Sequence, residues 1–232
     1  MLILGIESST VQVGCAIGGH EGVLATAHSS RGKRHAENLA PAIDFICTQA
    51  QIELRDIGLV AVDVGPGLFT GLRVGIATAK AIAFALRLPM IGVSSLDLLA
   101  FSVRYSPRLI VAAIDARRGE LYHARYRQVP GGVQRVSEYA VGSPEDLATD
   151  LFATGEEALL VGDGAHRYRE AFERLARVEV VDPGSSHPSA SSLVQLAHAR
   201  ALREEFSQID TIAPIYLRRP DAEINWTTRN AG

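Results

Sequence analysis

Cysteine is scarce in this chain: Cys15 and Cys47 are the two in 232 residues. They form no CxxC pair and no Cys/His cluster, so neither a zinc site nor a disulfide framework is suggested. Both fall in apolar runs and read as packed, reduced thiols, which fits a cytosolic protein. Aromatic residues are few, at 6%, against 21 glycines. Close backbone packing is therefore expected in place of a bulky aromatic core. No excess of basic residues is present, and the formal net charge is −3. Tight nucleic-acid binding by this chain alone usually needs a basic surface and is not expected. No uncharged apolar run approaches the roughly 18 residues of a membrane span, and the short apolar start lacks the pattern of a signal peptide. Cytoplasmic residence with no membrane attachment is the expectation.

What is present is a globular composition, 47% hydrophobic and 21% charged, long enough for one large or two small domains. Residues 2–7, 11–18 and 22–28 read as a strand meander. Leu39, Ile43, Ile46 and Ala50 then fall at helical spacing, with Pro41 inside the pattern. His35 and Glu37 sit near that helix start. A strand over 58–64 ends at Gly65-Pro66-Gly67, a helix follows to about Leu86, then a strand at 90–93 and a helix over 95–104. After Pro107 come strands at 109–115 and 120–126 around Arg117-Arg118-Gly119, and a third over 133–141. A helix after Ser143-Pro144, a strand at 158–161, a helix near 165–176 and a strand at 178–181 follow. Asp163-Gly164 reads as a turn. Ser191 or Ser192 is placed to cap a last helix running to about Phe206; the final residues read as a loose tail.

Three adjacent strands followed by helix, strand and helix, seen twice, resemble the ribonuclease-H-like α/β fold of actin, sugar kinases and Hsp70. Two related subdomains are expected, 1–105 and 106–232, each with a mixed sheet and flanking helices; the last helix can pack back on the first.

The most informative segment is Gly65–Lys80, GPGLFTGLRVGIATAK. Gly65 and Gly67 permit a sharp turn and close backbone approach. Thr70 is placed to cap the following helix, whose free N–H groups form a candidate anion site. The pattern is neither a Walker A loop nor a dinucleotide fingerprint. Glu7, at a strand end, could face a phosphate through metal or water, or be a solvated carboxylate. Along the helix, Gly71, Gly75, Ala79 and Ala83 form one small-residue line, and Ala77, Ala81 and Ala85 a neighbouring one. Such a surface admits a second helix closely, from this chain or from a partner. His123, His166, His187 and His198 show no ligand spacing, and Arg117-Arg118 and Arg218-Arg219 read as solvated turn residues.

The run GPGLFTGLRVGIATAKAIA, with PMIGVSSLDLLA at 89–100, resembles the signature region of TsaB proteins. LGIESST at the start, RHAENLAPAID at 34–44 and PIYLR at 214–218 sit where that family has related stretches. Two departures stand out: Glu7 in GIESS is nearer the TsaD pattern, and Leu68 stands where TsaB often has serine. The resemblance implies a non-catalytic partner subunit for threonylcarbamoyladenosine (t6A) formation at adenosine 37 of tRNA. It implies a TsaD-like transferase and a TsaE-like ATPase as partners, tRNA engaged only through the complex, and ATP or ADP used at the level of the complex rather than as a cofactor of this chain. TsaD-like proteins carry a metal-binding His-x-x-x-His pair; those positions fall here on Ser95 and Leu99, which cannot hold a metal as a histidine pair does. No metal and no catalytic residue is expected. The helices carrying Leu39, Ile43 and Ile46 and Gly71, Gly75, Ala79 and Ala83 are the expected partner interface, which could also close on a second copy by two-fold symmetry. The competing readings are a stand-alone ATP-dependent phosphotransferase or metallopeptidase of the same fold, and a chaperone-like nucleotide switch, for which the chain is short.

Overall fold

The computed structural model describes residues 1–30 and 35–218. In chain order its elements are β1 (Leu2–Glu7), β2 (Val13–Gly19), β3 (Gly22–Ser29), α1 (His35–Ala50), β4 (Ile57–Asp63), α2 (Phe69–Leu86), β5 (Met90–Val93) and α3 (Ser95–Ser102). The second half has β6 (Leu109–Arg117), β7 (Glu120–Val129), β8 (Gly132–Arg135), β9 (Ala140–Gly142), α4 (Pro144–Thr154), β10 (Ala158–Val161), α5 (Asp163–Arg167), α6 (Arg169–Phe172), β11 (Val178–Val180) and α7 (Ala190–Ala201).

Two sheets form. The first runs β3-β2-β1-β4-β5 and the second β11-β10-β6-β7-β8, with β9 also on β7. In each, the first three strands pair antiparallel, and parallel strands are added beside the first of them. This repetition is the ribonuclease-H-like arrangement.

The period-2 alternation of the strands decides the layers. Leu4 and Ile6 of β1 with Val60 and Val62 of β4 face α1 and α2. Ile3, Leu59 and Ala61, one residue out of phase, face α7. Each of these aliphatic side chains is fully buried and contributes about 1.5–3 kcal/mol by leaving water. Although α7 follows the second sheet in sequence, it lies on the first, through Leu193, Val194 and Ala197.

Several local expectations change. The last helix is capped by Ser189, whose hydroxyl accepts from Ser192 N–H; Ser191 and Ser192 lie in its first turn, and the helix ends at Ala201. The helix expected over 165–176 is two short ones, and Asp163-Gly164 opens the first of them. The strand expected over 133–141 is two, both paired to β7. Cys15 and Cys47 are free and buried, and burial pushes the Cys15 thiol up to about 12. Arg34, Arg219 and the expected tail beyond it lie outside the described residues.

Helix α2 is, by length and composition, apolar enough to cross a membrane. In this fold its Gly71, Leu72, Gly75, Ile76, Ala79 and Ala83 are buried, and it seats on β4 and β1. That packing accounts for its buried face, while Phe69, Ala77, Ala81 and Phe84 stay exposed.

Candidate functional site

The carboxyl ends of β1, β4 and β5 meet at one point, each followed by a loop rich in serine or glycine. Here the fold brings together Glu7, Asp63 and Ser95, residues far apart in sequence. Glu7 and Asp63 are both completely buried. Glu7 Oε1 accepts from the Ser9 N–H and the Ser9 hydroxyl, both at 2.7 Å. Asp63 Oδ1 accepts from Gly65 N–H at 2.7 Å and from Ser95 Oγ at 2.6 Å.

The other oxygens, Glu7 Oε2 and Asp63 Oδ2, lie buried with no hydrogen-bond partner among the described residues. Two adjacent carboxylates cannot both stay charged away from water. Burial, then the charge of Asp63, holds the Glu7 carboxyl well above the usual carboxylate range. Burial also raises Asp63, while hydrogen bonds from Ser95, Gly65 and Glu7 oppose the rise. Burial thus favours the neutral form of both carboxyls, and of Glu7 most strongly. Glu7 is thus neither solvated nor open to a phosphate.

The glycine-rich loop folds onto this pair. Gly65 has φ +94°, a conformation glycine adopts without strain. At Gly67 a Cβ would overlap the Ser9 carbonyl oxygen, and Leu68 N–H donates to that carbonyl at 2.6 Å. The close approach that Gly67 permits is therefore to the chain's own β1–β2 turn. Thr70 does not cap α2: the cap position is Leu68, without a side-chain bond, and Thr70 is exposed in the first turn.

The two positions expected to have lost metal ligands have structural roles. Ser95 is committed to Asp63, and its N–H donates to Gly65 carbonyl at 2.9 Å. Leu99 is buried in the cluster joining α3 to the second sheet, with Ile110 and Val161. Among the described residues no group of three or more His, Cys, Asp or Glu is placed to hold a metal ion.

A strap near the chain's end completes the site, a feature sequence reasoning left unassigned beyond its PIYLR pattern. Ile215 N–H donates to Val64 carbonyl at 2.7 Å. The Tyr216 ring lies 5.5 Å from that of Phe69. Arg218 pairs with Glu120 at 2.6 Å and donates to Ala116 carbonyl at 3.1 Å. Arg218 is thus no solvated turn residue; Arg117 is exposed at the β6–β7 turn, as expected, and lies 3.2 Å from Asp115. Residues 215–218 span from the glycine-rich loop to the β6–β7 hairpin.

The expected partner interface is corrected. Leu39, Ile43, Ile46, Ala79 and Ala83 are core residues of the first sheet's α1/α2 layer, and Gly71 and Gly75 are buried beneath α2. The physical reason is the same small size: it lets α2 sit close to its own β1–β2 turn, where Ser8 Oγ donates to Gly71 carbonyl at 2.9 Å. The outward faces carry other residues, Phe45, Phe69, Ala77, Ala81 and Phe84.

The model of the TsaD family, tRNA N6-adenosine threonylcarbamoyltransferase, matches residues 23–226. TsaB, the tRNA threonylcarbamoyladenosine biosynthesis protein of Bacillus subtilis, is 28% identical over 228 residues, covering 97% of this chain and 98% of the relative. TsaB of Escherichia coli is 29% identical over 221 residues, covering 94% and 95%. The solved structure of YeaZ from Pseudomonas aeruginosa superposes with a TM-score of 0.81 at 28% identity, over 93% of this chain and 99% of that one.

Proposed function

The chain belongs to the TsaB family of TsaD-like paralogues and acts in the biosynthesis of t6A in tRNA, and we propose that it does so as a partner subunit that performs no chemistry alone. The observation that carries this reading is the self-occupied site: Glu7 is buried and bonded to Ser9, Ser95 is spent on Asp63, and Gly67 packs on Ser9. A phosphotransferase needs an accessible carboxylate base and an open phosphate loop, and a metallopeptidase needs ligands. The residues at these positions are engaged with one another.

The partners in this reading are a TsaD-like transferase and a TsaE-like ATPase, with ATP and tRNA engaged by the complex. Two free, buried thiols and bacterial tRNA-modification relatives support action in the cytoplasm. The docking face is the outer side of α1 and α2. Phe84 is 80% exposed and Phe45 53%, with Ala77 and Ala81 exposed beside them. Exposed aromatic side chains flanked by small residues suit a helix pair of a subunit with the same fold. The same face can close on a second copy of this chain when the TsaD-like subunit is absent.

The test is direct. Purified chain incubated with ATP should release no ADP above background, and affinity purification from the native cell should bring down a TsaD-like protein. Turnover by the chain alone at about 1 s⁻¹, a rate within the range of ordinary enzymes, would overturn the reading.

A further inference from the structure

A cavity of about 260 Å³ opens between the end of α4 and the loop from α6 into β11, the edge strand of the second sheet. Leu151 and Phe152 line it from α4, and Leu175 and Val178 line it from the loop and strand. Leu151 belongs to the second sheet's core, whereas Phe152 is 75% exposed. Arg174 and Arg177 also line the cavity, and no carboxylate is among its lining residues. We propose that this groove docks a partner protein through a segment carrying one apolar side chain flanked by carboxylates.

Charge supports an acidic segment. The acids that neighbour the groove in sequence are each engaged with other arginines: Glu156 with Arg127, Glu157 and Glu179 with Arg108, and Glu173 with Arg169. Arg174 has no hydrogen bond or ion pair among the described residues. Arg177 spends one N–H on the Gly155 carbonyl, at 2.6 Å, and meets no carboxylate among the described residues. Each guanidinium has five donors, so most of them remain for a ligand. Two cations therefore stand at an apolar groove without a counter-charge, in a chain with more acids than bases. The end of α4 does not supply one, because its carbonyls are engaged: Leu151 O accepts from Thr154 Oγ1, Phe152 O from Gly155 N–H and Gly155 O from Arg177. A planar guanidinium matches a carboxylate through two parallel hydrogen bonds. Size supports a single inserted side chain. The volume falls below the ~300–1,000 Å³ of ordinary small-molecule sites. An exposed aromatic ring beside arginines is also the composition of protein-contact anchors. Covering Phe152 and Leu175 removes apolar area from water and drives association. The arginines orient the segment and reject basic ones.

The proposal concerns the second sheet and depends neither on the α1/α2 docking face nor on the role in t6A formation. The test is an NMR titration of the full-length protein with the capped peptide acetyl-Asp-Glu-Leu-Glu-Asp-amide. Saturable shifts centred on Phe152, Gly155, Arg174 and Val178 are expected. Replacing the peptide's acids with lysines, or its leucine with alanine, should weaken binding by about tenfold or more, the loss of a charge-assisted pair or of a buried side chain. Arg174→Glu and Phe152→Ala change exposed positions. Both should melt close to the parent and bind the acidic peptide more weakly, and Arg174→Glu should prefer the lysine-flanked peptide. Equal binding of the acidic and lysine-flanked peptides by the parent, no saturable shifts up to millimolar peptide, or unchanged affinity in both variants would overturn the proposal. So would N-acetyl-leucine binding as tightly as the peptide, because the groove would then be a small-molecule site.

Discussion

Ser8 and Gly75 meet where the β1–β2 turn enters the face of α2: a Cβ on Gly75 would overlap Ser8 Oγ, the atom that donates to Gly71 carbonyl. Gly75→Ala is therefore expected to destabilise the fold by about 1–3 kcal/mol, the usual cost of overpacking. Combining it with Ser8→Gly should recover part of the loss, because the obstructing side chain is gone. Urea unfolding of the parent, both single variants and the double variant measures this, and strictly additive effects would contradict the contact.

The burial of Glu7 and Asp63 predicts a pH dependence with a definite sign. Both carboxyls are raised in the folded protein, burial being the main cause. The folded state then holds protons that the unfolded chain has released above the ordinary carboxylate range. Stability falls as pH rises from that range through the folded pKa values. Glu7→Gln keeps an oxygen for Ser9 and offers N–H to Asp63, so it should flatten this slope and melt at or above the parent at pH 8. Thermal melts across neutral pH check it; a variant that melts lower than the parent only at alkaline pH would contradict the assignment.

The two faces of α2 should respond oppositely to charge. Phe84→Glu lies on the exposed face and is expected to change folding stability by no more than about 0.5 kcal/mol. It should weaken capture of a TsaD-like subunit in a pull-down. Ala79→Glu would bury an unpaired carboxylate in the first sheet's core and cost several kcal/mol. If Ala79→Glu melts like the parent, the packing described for α2 is wrong.

Asp97 fastens α3 to the second sheet. It accepts from Tyr126 Oη at 2.7 Å and from Tyr139 Oη at 3.1 Å, and burial raises its pKa despite both bonds. Tyr126→Phe removes one of two tyrosine donors from a half-buried carboxylate and should cost about 1–3 kcal/mol. Asp97→Asn, which lowers the charge left unpaired, should cost less when added to the Tyr126→Phe variant than when made in the parent. A double-mutant cycle by chemical denaturation reads the coupling.

Much of the molecule was legible in its residues alone. The short apolar runs of β1 and β4, the helical spacing of Leu39, Ile43 and Ile46, and the glycines around Pro66 place strands, helices and turn, because periodicity and backbone freedom are local properties. The GPGLFTGLRVG run and the substitution of serine and leucine at 95 and 99 pointed to the family. Periodicity, however, reports that a face is apolar and not what covers it. Gly71, Gly75, Ala79 and Ala83 read equally as a partner surface or a core surface, and only the position of Ser8 and β4 makes them core. Glu7 and Asp63 become buried neighbours through parallel pairing of β1 with β4. Contacts between residues this far apart depend on how sheets and helices are stacked. Folding creates that proximity, and with it the desolvation that sets the charge of Glu7.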